Sequence, residues 1–128
     1  MTGPAPALDP QAAAAIEAAA AAFVDALWLE EGLSRNTLDA YRRDLVQLGR
    51  WLALAPRGRQ LPDCSEADLN GYFADRHGQT RATTANRRLT VFKRYFRWAL
   101  REQLLQADPT LRLLTARQPL RVPKTLSE

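Results

Sequence analysis

Apolar residues recur every three or four positions along most of the chain, which is the period of an α-helix with one buried face. The clearest stripe lies between residues 35 and 54 and consists of Leu38, Tyr41, Leu45, Leu48 and Leu52. No segment of strand length alternates between apolar and polar residues. The pattern therefore predicts an all-α fold.

Capping residues divide this pattern into four helices. A Ser, Thr or Asp, the residue types that accept from the first free N–H groups of a helix, precedes each apolar stripe. These caps are Asp9, Ser34, Ser65 and Thr80. The sequence predicts helices over residues 10–31, 35–54, 66–77 and 81–103. Asp108-Pro109 repeats the cap-and-proline signal and predicts a short further helix through Leu113.

The helix over residues 81–103 carries apolar residues on two sides. One stripe ends in Phe92, Phe96 and Leu100, and a second contains Val91 and Tyr95. Because both stripes need burial, we expect this helix at the centre of the bundle.

One folded domain is expected over residues 9–115 of the 128-residue chain. Residues 1–8 have two prolines and no charged side chain, so we expect a loose tail. Residues 116–128 also contain two prolines and predict an extended linker.

The composition, 46% hydrophobic and 25% charged, is typical of a globular domain, but it offers little for catalysis. A single cysteine, Cys64, and a single histidine, His77, cannot form an internal disulfide, a zinc site or a catalytic triad. We therefore expect no catalytic residue, metal or cofactor. Glu17 and Asp25 interrupt the first apolar run, so we expect no membrane span and a cytoplasmic protein.

Charge is distributed unevenly along the chain, whose formal net charge is +4. Residues 1–34 hold five acids and no base, whereas residues 81–101 hold seven bases and no acid. A face rich in cations suits a polyanion such as nucleic acid, because each cation near a phosphate releases a bound counterion. The alternative is an ordinary solvated helix face.

Two polar-basic faces emerge when the second and fourth helices are projected at 100° per residue. Arg87, Arg94 and Arg101 form a line opposite the main apolar stripe. Substituting Arg87 and Arg94 by alanine should therefore cost little stability. The alternative for the second helix is that Asp39 and Asp44 pair with their neighbours Arg42 and Arg43. The candidate DNA-binding residues are Asn36, Thr37, Arg43, Arg81, Thr83, Thr84, Arg87, Arg88, Arg94, Arg97 and Arg101.

The motif Asn-Thr-Leu-Asp-Ala-Tyr-Arg-Arg-Asp-Leu at residues 36–45 resembles the tyrosine site-specific recombinases. The likeness continues in Arg-Ala-Thr-Thr-Ala-Asn-Arg-Arg-Leu at residues 81–89, in Asp108-Pro109 and at residues 120–127. Residues 1–20 form an Ala-rich extension that departs from the family pattern.

The resemblance implies a core-binding domain, a four-helix SAM-like orthogonal bundle that forms half of a clamp around double-stranded DNA. It implies that the second and fourth helices face the DNA. It also implies a separate C-terminal catalytic domain, reached through residues 116–128, so Tyr41, Tyr72 and Tyr95 are not the nucleophile. In the full protein it implies a related partner recombinase within a tetramer.

A helical protein-interaction module is the alternative function. In that case Trp28, Trp51 and Trp98, together with the Ala-rich first helix, would dock a partner protein. The basic face would then only contact solvent.

Overall fold

Four α-helices account for most of residues 8–55 and 58–113, the ranges that the computed structural model describes. They are α1 (Pro10–Glu31), α2 (Arg35–Leu54), α3 (Glu66–Arg76) and α4 (Ala82–Arg101). Short 3-10 turns lie at Leu61–Asp63 and His77–Gln79, and no strand occurs in the described ranges. The predicted all-α fold is confirmed.

Side-chain caps fix the helix starts that the sequence predicts. The Asp9 carboxylate accepts from the Ala12 N–H at 3.2 Å, and the Ser34 hydroxyl accepts from the Thr37 N–H at 3.2 Å. Ser65 and Asp68 form a reciprocal capping box at the start of α3. Gly32 ends α1 with a left-handed φ of 62°, a conformation that glycine adopts without steric cost.

Several predicted boundaries are wrong near the ends of α3 and α4. The helix α3 stops at Arg76, because residues 77–79 tighten into a 3-10 turn. Arg81, not Thr80, occupies the N-cap position of α4, and its side chain accepts no capping hydrogen bond. At the other end α4 stops at Arg101, before Gln103 adopts a φ of 63°.

The short helix expected after Asp108 is also absent from the described structure. The Asp108 carboxylate accepts from the Thr110 N–H at 2.8 Å, which closes a local turn that competes with helix formation. Residues 109–112 are turns, and the buried side chain of Leu113 follows them.

Aromatic residues of α4 fill the centre of the core. Tyr95 meets Phe23 of α1 edge-on with 5.4 Å between ring centroids, and Phe92 meets Tyr72 of α3 at 5.8 Å. The predicted central position of α4 is therefore confirmed. Leu100 is an exception, because 39% of it is exposed although it was expected in the apolar stripe.

α1 packs closely against α2 through one apolar stripe. The stripe consists of Ile16, Ala20, Phe23 and Leu27. By length and composition alone α1 is apolar enough to cross a membrane, although Glu17 and Asp25 interrupt its apolar run. In the structure the stripe faces the bundle. The expected linker, and the expected tail apart from Leu8, lie outside the described residues.

Candidate nucleic-acid interface

A buried carboxylate joins the middle of α2 to the first half of α4. Asp44 accepts two hydrogen bonds from Arg87, from Nε at 3.0 Å and from Nη2 at 2.8 Å. The Nε of Arg88 lies 3.6 Å from the same carboxylate. The side chain of Asp44 is 3% exposed, whereas that of Arg87 is 45% exposed. We call Asp44, Arg87 and Arg88 the Asp44 cluster.

The Asp44 cluster carries one net positive charge, because two guanidinium groups share one carboxylate. The hydrogen bond that Arg87 donates to Asp44 raises the pKa of Arg87 above its usual value, so the guanidinium stays charged. The two hydrogen bonds from Arg87 and the nearby charge of Arg88 offset the cost of burying the carboxylate, although Nε of Arg88 itself makes no hydrogen bond. The cluster therefore links α2 to α4 and also places a positive charge on the surface.

The intrahelical pairing considered for α2 does not occur for Asp44, whose partners come from α4. Arg42 donates to Glu17 of α1 at 3.1 Å, and Arg43 is exposed. A helix offers i,i+4 partners only along its own surface, whereas the packed bundle brings carboxylates and guanidiniums together across helices.

Carboxylates of α1 neutralise the far end of the predicted arginine line. Glu31 pairs with Arg94, and Glu30 accepts from Nη2 of Arg101 at 2.9 Å. Each arginine of that line therefore has an acidic partner on another helix. The hydrogen bonds from Arg87 to the buried Asp44 carboxylate argue against the expectation that Arg87 contributes little to stability.

The remaining predicted site residues lie on the surfaces of α2 and α4. Those that are exposed without a side-chain ion pair in the described structure are Asn36, Arg43, Arg81, Thr83 and Arg97. Thr37 and Thr84 are half-buried, and the Thr37 hydroxyl accepts from Ser34 at 3.0 Å. The exposed polar residues of α4 are spaced by three, four or seven residues, so they lie on one side of the helix. They are Thr83, Arg87, Thr90, Arg97 and Arg101.

A groove between α3 and α4 adds a cationic residue that the sequence reasoning missed. The groove has a volume of about 580 Å³, and its lining includes Arg76, His77, Thr80 and Arg88. Arg76 stacks its guanidinium 4.6 Å from the centre of the Tyr72 ring. The position of Arg76 in the last turn of α3 indicates only a favourable interaction with the helix dipole. Its place in the same groove as Arg88 follows from the packing of α3 against α4.

Two other side chains with reactive groups, Cys64 and Tyr72, are buried. Burial raises the pKa of the Cys64 thiol to about 12, which suppresses the reactive thiolate. The Tyr72 hydroxyl is buried without a hydrogen-bond partner in the described structure. Among the described residues, no group of three or more His, Cys, Asp or Glu could hold a metal ion.

Sequence comparison places this bundle among known domains. Residues 20–103 match the family described as phage integrase, N-terminal SAM-like domain. This chain belongs to that family. Both the resemblance carried by residues 36–45 and the SAM-like fold class are confirmed for this integrase N-terminal domain.

The integrase N-terminal domain has relatives that are tyrosine recombinases. It is 64% identical over 106 residues to the tyrosine recombinase XerD of Ralstonia nicotianae, covering 83% of this chain and 34% of that protein. XerD of Proteus mirabilis is 42% identical over 107 residues, with 83% and 34% covered. The chain spans about a third of the length of these curated relatives. No solved structure matches it.

Proposed function

We propose that this chain is the DNA-binding domain of a XerD-like tyrosine recombinase and that it contacts double-stranded DNA through α2 and α4. The observation that carries the proposal is the exposed side of α4, where every charged residue is basic. Such a surface attracts phosphates and makes binding salt-dependent. The names of the relatives, tyrosine recombinases, agree with this function.

Two groups of residues have different roles in the proposed interface. Residues near the helix starts have short or forked side chains, which suit the base edges of a major groove. These are Asn36, Thr37 and Arg43 of α2, with Arg81, Thr83, Thr84, Arg87 and Arg88 around the start of α4. Arg94, Arg97 and Arg101 lie further along α4 and suit phosphates, which fix the register of the protein on DNA.

In the full-length protein, the proposed activity is site-specific recombination that resolves chromosome dimers in the cytoplasm. The proposed partner is a XerC-like recombinase in a tetramer. We assign the strand-exchange chemistry to the part of such recombinases that this chain does not match. This chain alone would then bind DNA without cleaving it.

The salt dependence of binding tests the proposed function. The affinity of the chain for a labelled duplex should fall by orders of magnitude between low and moderate salt, with a slope of about −0.9 per phosphate contacted. Arg97→Gln should weaken binding to all sequences and flatten that slope by about one unit. Arg112→Gln is the matched control, because Arg112 is exposed outside α2 and α4. Salt-independent binding, or equal effects of the two variants, would contradict the proposal.

A protein-interaction module remains the second candidate function. The observation that favours it is the exposure of Trp28 and Leu29 at the end of α1. Exposed large apolar side chains that lie together are typical of a contact with another protein. Trp28→Ser should leave DNA affinity unchanged, which separates this surface from the DNA interface.

A further inference from the structure

We propose that Asp44 is a positioning residue, which holds the guanidinium of Arg87 in the orientation needed to contact DNA. The inference rests on the proposed function and adds to it a residue that does not itself touch DNA. The Asp44 carboxylate is buried beneath a half-exposed arginine and makes two hydrogen bonds to it. It therefore fixes the side chain from the protein side.

The geometry of these two hydrogen bonds leaves the outer edge of the guanidinium unused. Asp44 takes the N–H of Nε and one N–H of Nη2, which lie on the same edge of the planar group. A guanidinium has five N–H donors, so three remain, on Nη1 and Nη2. These are the pair of nitrogens that can bind a guanine edge or a phosphate with two hydrogen bonds.

A guanidinium that is already held loses less conformational freedom when it binds. An unrestrained arginine samples many rotamers, and ordering them opposes binding. The side chain of Arg87 loses this conformational freedom during folding, because its hydrogen bonds to Asp44 hold it against α2. The arrangement matches the way a carboxylate orients a ligand-binding side chain in other sites.

If Asp44 acted only through its charge, removing that charge would strengthen DNA binding, whereas positioning predicts that it weakens binding. This difference makes the inference testable. Asp44 is negative and should repel DNA if it acts only through its charge. Arg88 offsets that effect, because its Nε lies 3.6 Å from the same carboxylate and the Asp44 cluster stays positive. In contrast, Arg94 faces Glu31 of α1, and Arg101 faces both Glu30 of α1 and Glu102.

The experiment compares Asp44→Asn with Asp39→Asn. Both substitutions remove one negative charge from α2, but Asp39 is exposed and makes no ion pair in the described structure. The probes are the duplex that the wild-type chain enriches from a random library and the same duplex with its bases shuffled. Asp39→Asn should strengthen binding to both. Asp44→Asn should weaken binding to the enriched duplex by about fivefold or more despite its higher net charge.

Arg87→Lys gives a second test in a chain that keeps Asp44. Lysine keeps the charge but cannot make the two parallel hydrogen bonds, so it should reproduce the loss on the enriched duplex. This variant decides the question if Asp44→Asn fails to fold, as judged by circular dichroism. In the wild type, the NMR signal of the Arg87 Nε–H should also be protected from solvent exchange, and Asp44→Asn should remove that protection.

The outcomes separate this inference from the proposed function. If the wild type binds DNA in a salt-dependent way but folded Asp44→Asn behaves like Asp39→Asn, positioning by Asp44 is wrong and DNA binding stands. Positioning by Asp44 is also wrong if Arg87→Lys keeps full affinity for the enriched duplex, or if the wild type enriches no duplex from the library. If the wild type binds no DNA at any salt concentration, the proposed function itself fails.

Discussion

The guanidinium of Arg101 donates to the Glu30 carboxylate at 2.9 Å, which ties the last turn of α4 to the last turn of α1. Both side chains are about half exposed, so solvent screens the pair and its contribution to stability is small. We expect a larger effect on DNA binding, because the glutamate lies beside a cation that we propose contacts phosphate. The glutamates of α1 thus reduce the positive charge on the exposed side of α4.

Glu30→Gln should increase the affinity of the chain for duplex DNA and make its salt dependence steeper. The substitution removes the carboxylate that accepts a hydrogen bond from Arg101 and leaves only Glu102, at 3.8 Å, beside it. A phosphate then competes with one carboxylate instead of two. Asp25→Asn on the same helix is the matched control for net charge, since Asp25 is exposed and pairs with no cation in the described structure. Titrations at two salt concentrations measure both effects. Equal gains for the two variants would mean that Arg101 does not contact DNA.

Arg87→Ala should destabilise the fold by about 1–3 kcal/mol, because it removes two hydrogen bonds from a buried carboxylate. Arg88 remains near Asp44 and limits the loss. Arg97→Ala, at an exposed position of the same helix, should change stability by no more than about 0.5 kcal/mol. Urea unfolding monitored by circular dichroism compares the two. An unchanged midpoint for Arg87→Ala would show that the ion pair does not hold α2 to α4.

Gly49→Ala should destabilise the protein by about 1–3 kcal/mol although alanine favours helix, because α1 and α2 approach closely at this point. A Cβ at residue 49 would lie 2.8 Å from Cγ2 of Ile16. Gly71→Ala in α3 is the matched control: its Cβ would meet Trp51 at an ordinary 3.4 Å, and helix propensity should stabilise it by up to about 1 kcal/mol.

Ile16→Ala provides the check on this contact. In the Gly49→Ala background it should cost less than it does in the wild type, because it removes the clashing atoms. Denaturant unfolding of the four proteins measures this coupling. Strict additivity would show that residue 49 does not touch Ile16.

The free energy of unfolding should decrease as the pH rises from about 9 towards 12. Burial raises the pKa of Cys64 from 9.0 to about 12, with repulsion from Asp68 as a smaller cause. The native thiol keeps its proton in a range where the unfolded thiol loses it, so this stability is complete below pH 9 and is lost through the native pKa. Burial also raises the pKa of Tyr95 to about 12, which acts in the same direction.

Cys64→Ala separates the thiol from the tyrosine. The variant should have a lower stability at neutral pH, through lost packing, but a shallower decline above pH 9. Chemical unfolding at a series of pH values measures both. Parallel curves for the variant and the wild type would show that Cys64 does not titrate differently in the two states.

Local rules determined most of the secondary structure from the sequence. Ser34 caps α2 and α1 ends at Glu31 as predicted, because a side-chain cap and the left-handed Gly32 that ends α1 depend only on the nearest few residues. The apolar periodicity of α4 likewise determined its central position. The sequence was less informative at Asp108, where the side chain can satisfy either a helix start or a local turn, and the turn forms.

Only the tertiary structure decided which charges of the candidate interface are paired. The sequence placed Arg87, Arg94 and Arg101 on one side of α4, but their partners are Asp44, Glu31 and Glu30 on two other helices. Helical periodicity fixes how residues are arranged around their own axis, not which face of another helix packs opposite. The pairing of distant residues, such as Asp44 with Arg87, depends on that packing, and so does the orientation of the guanidinium that we propose meets the DNA.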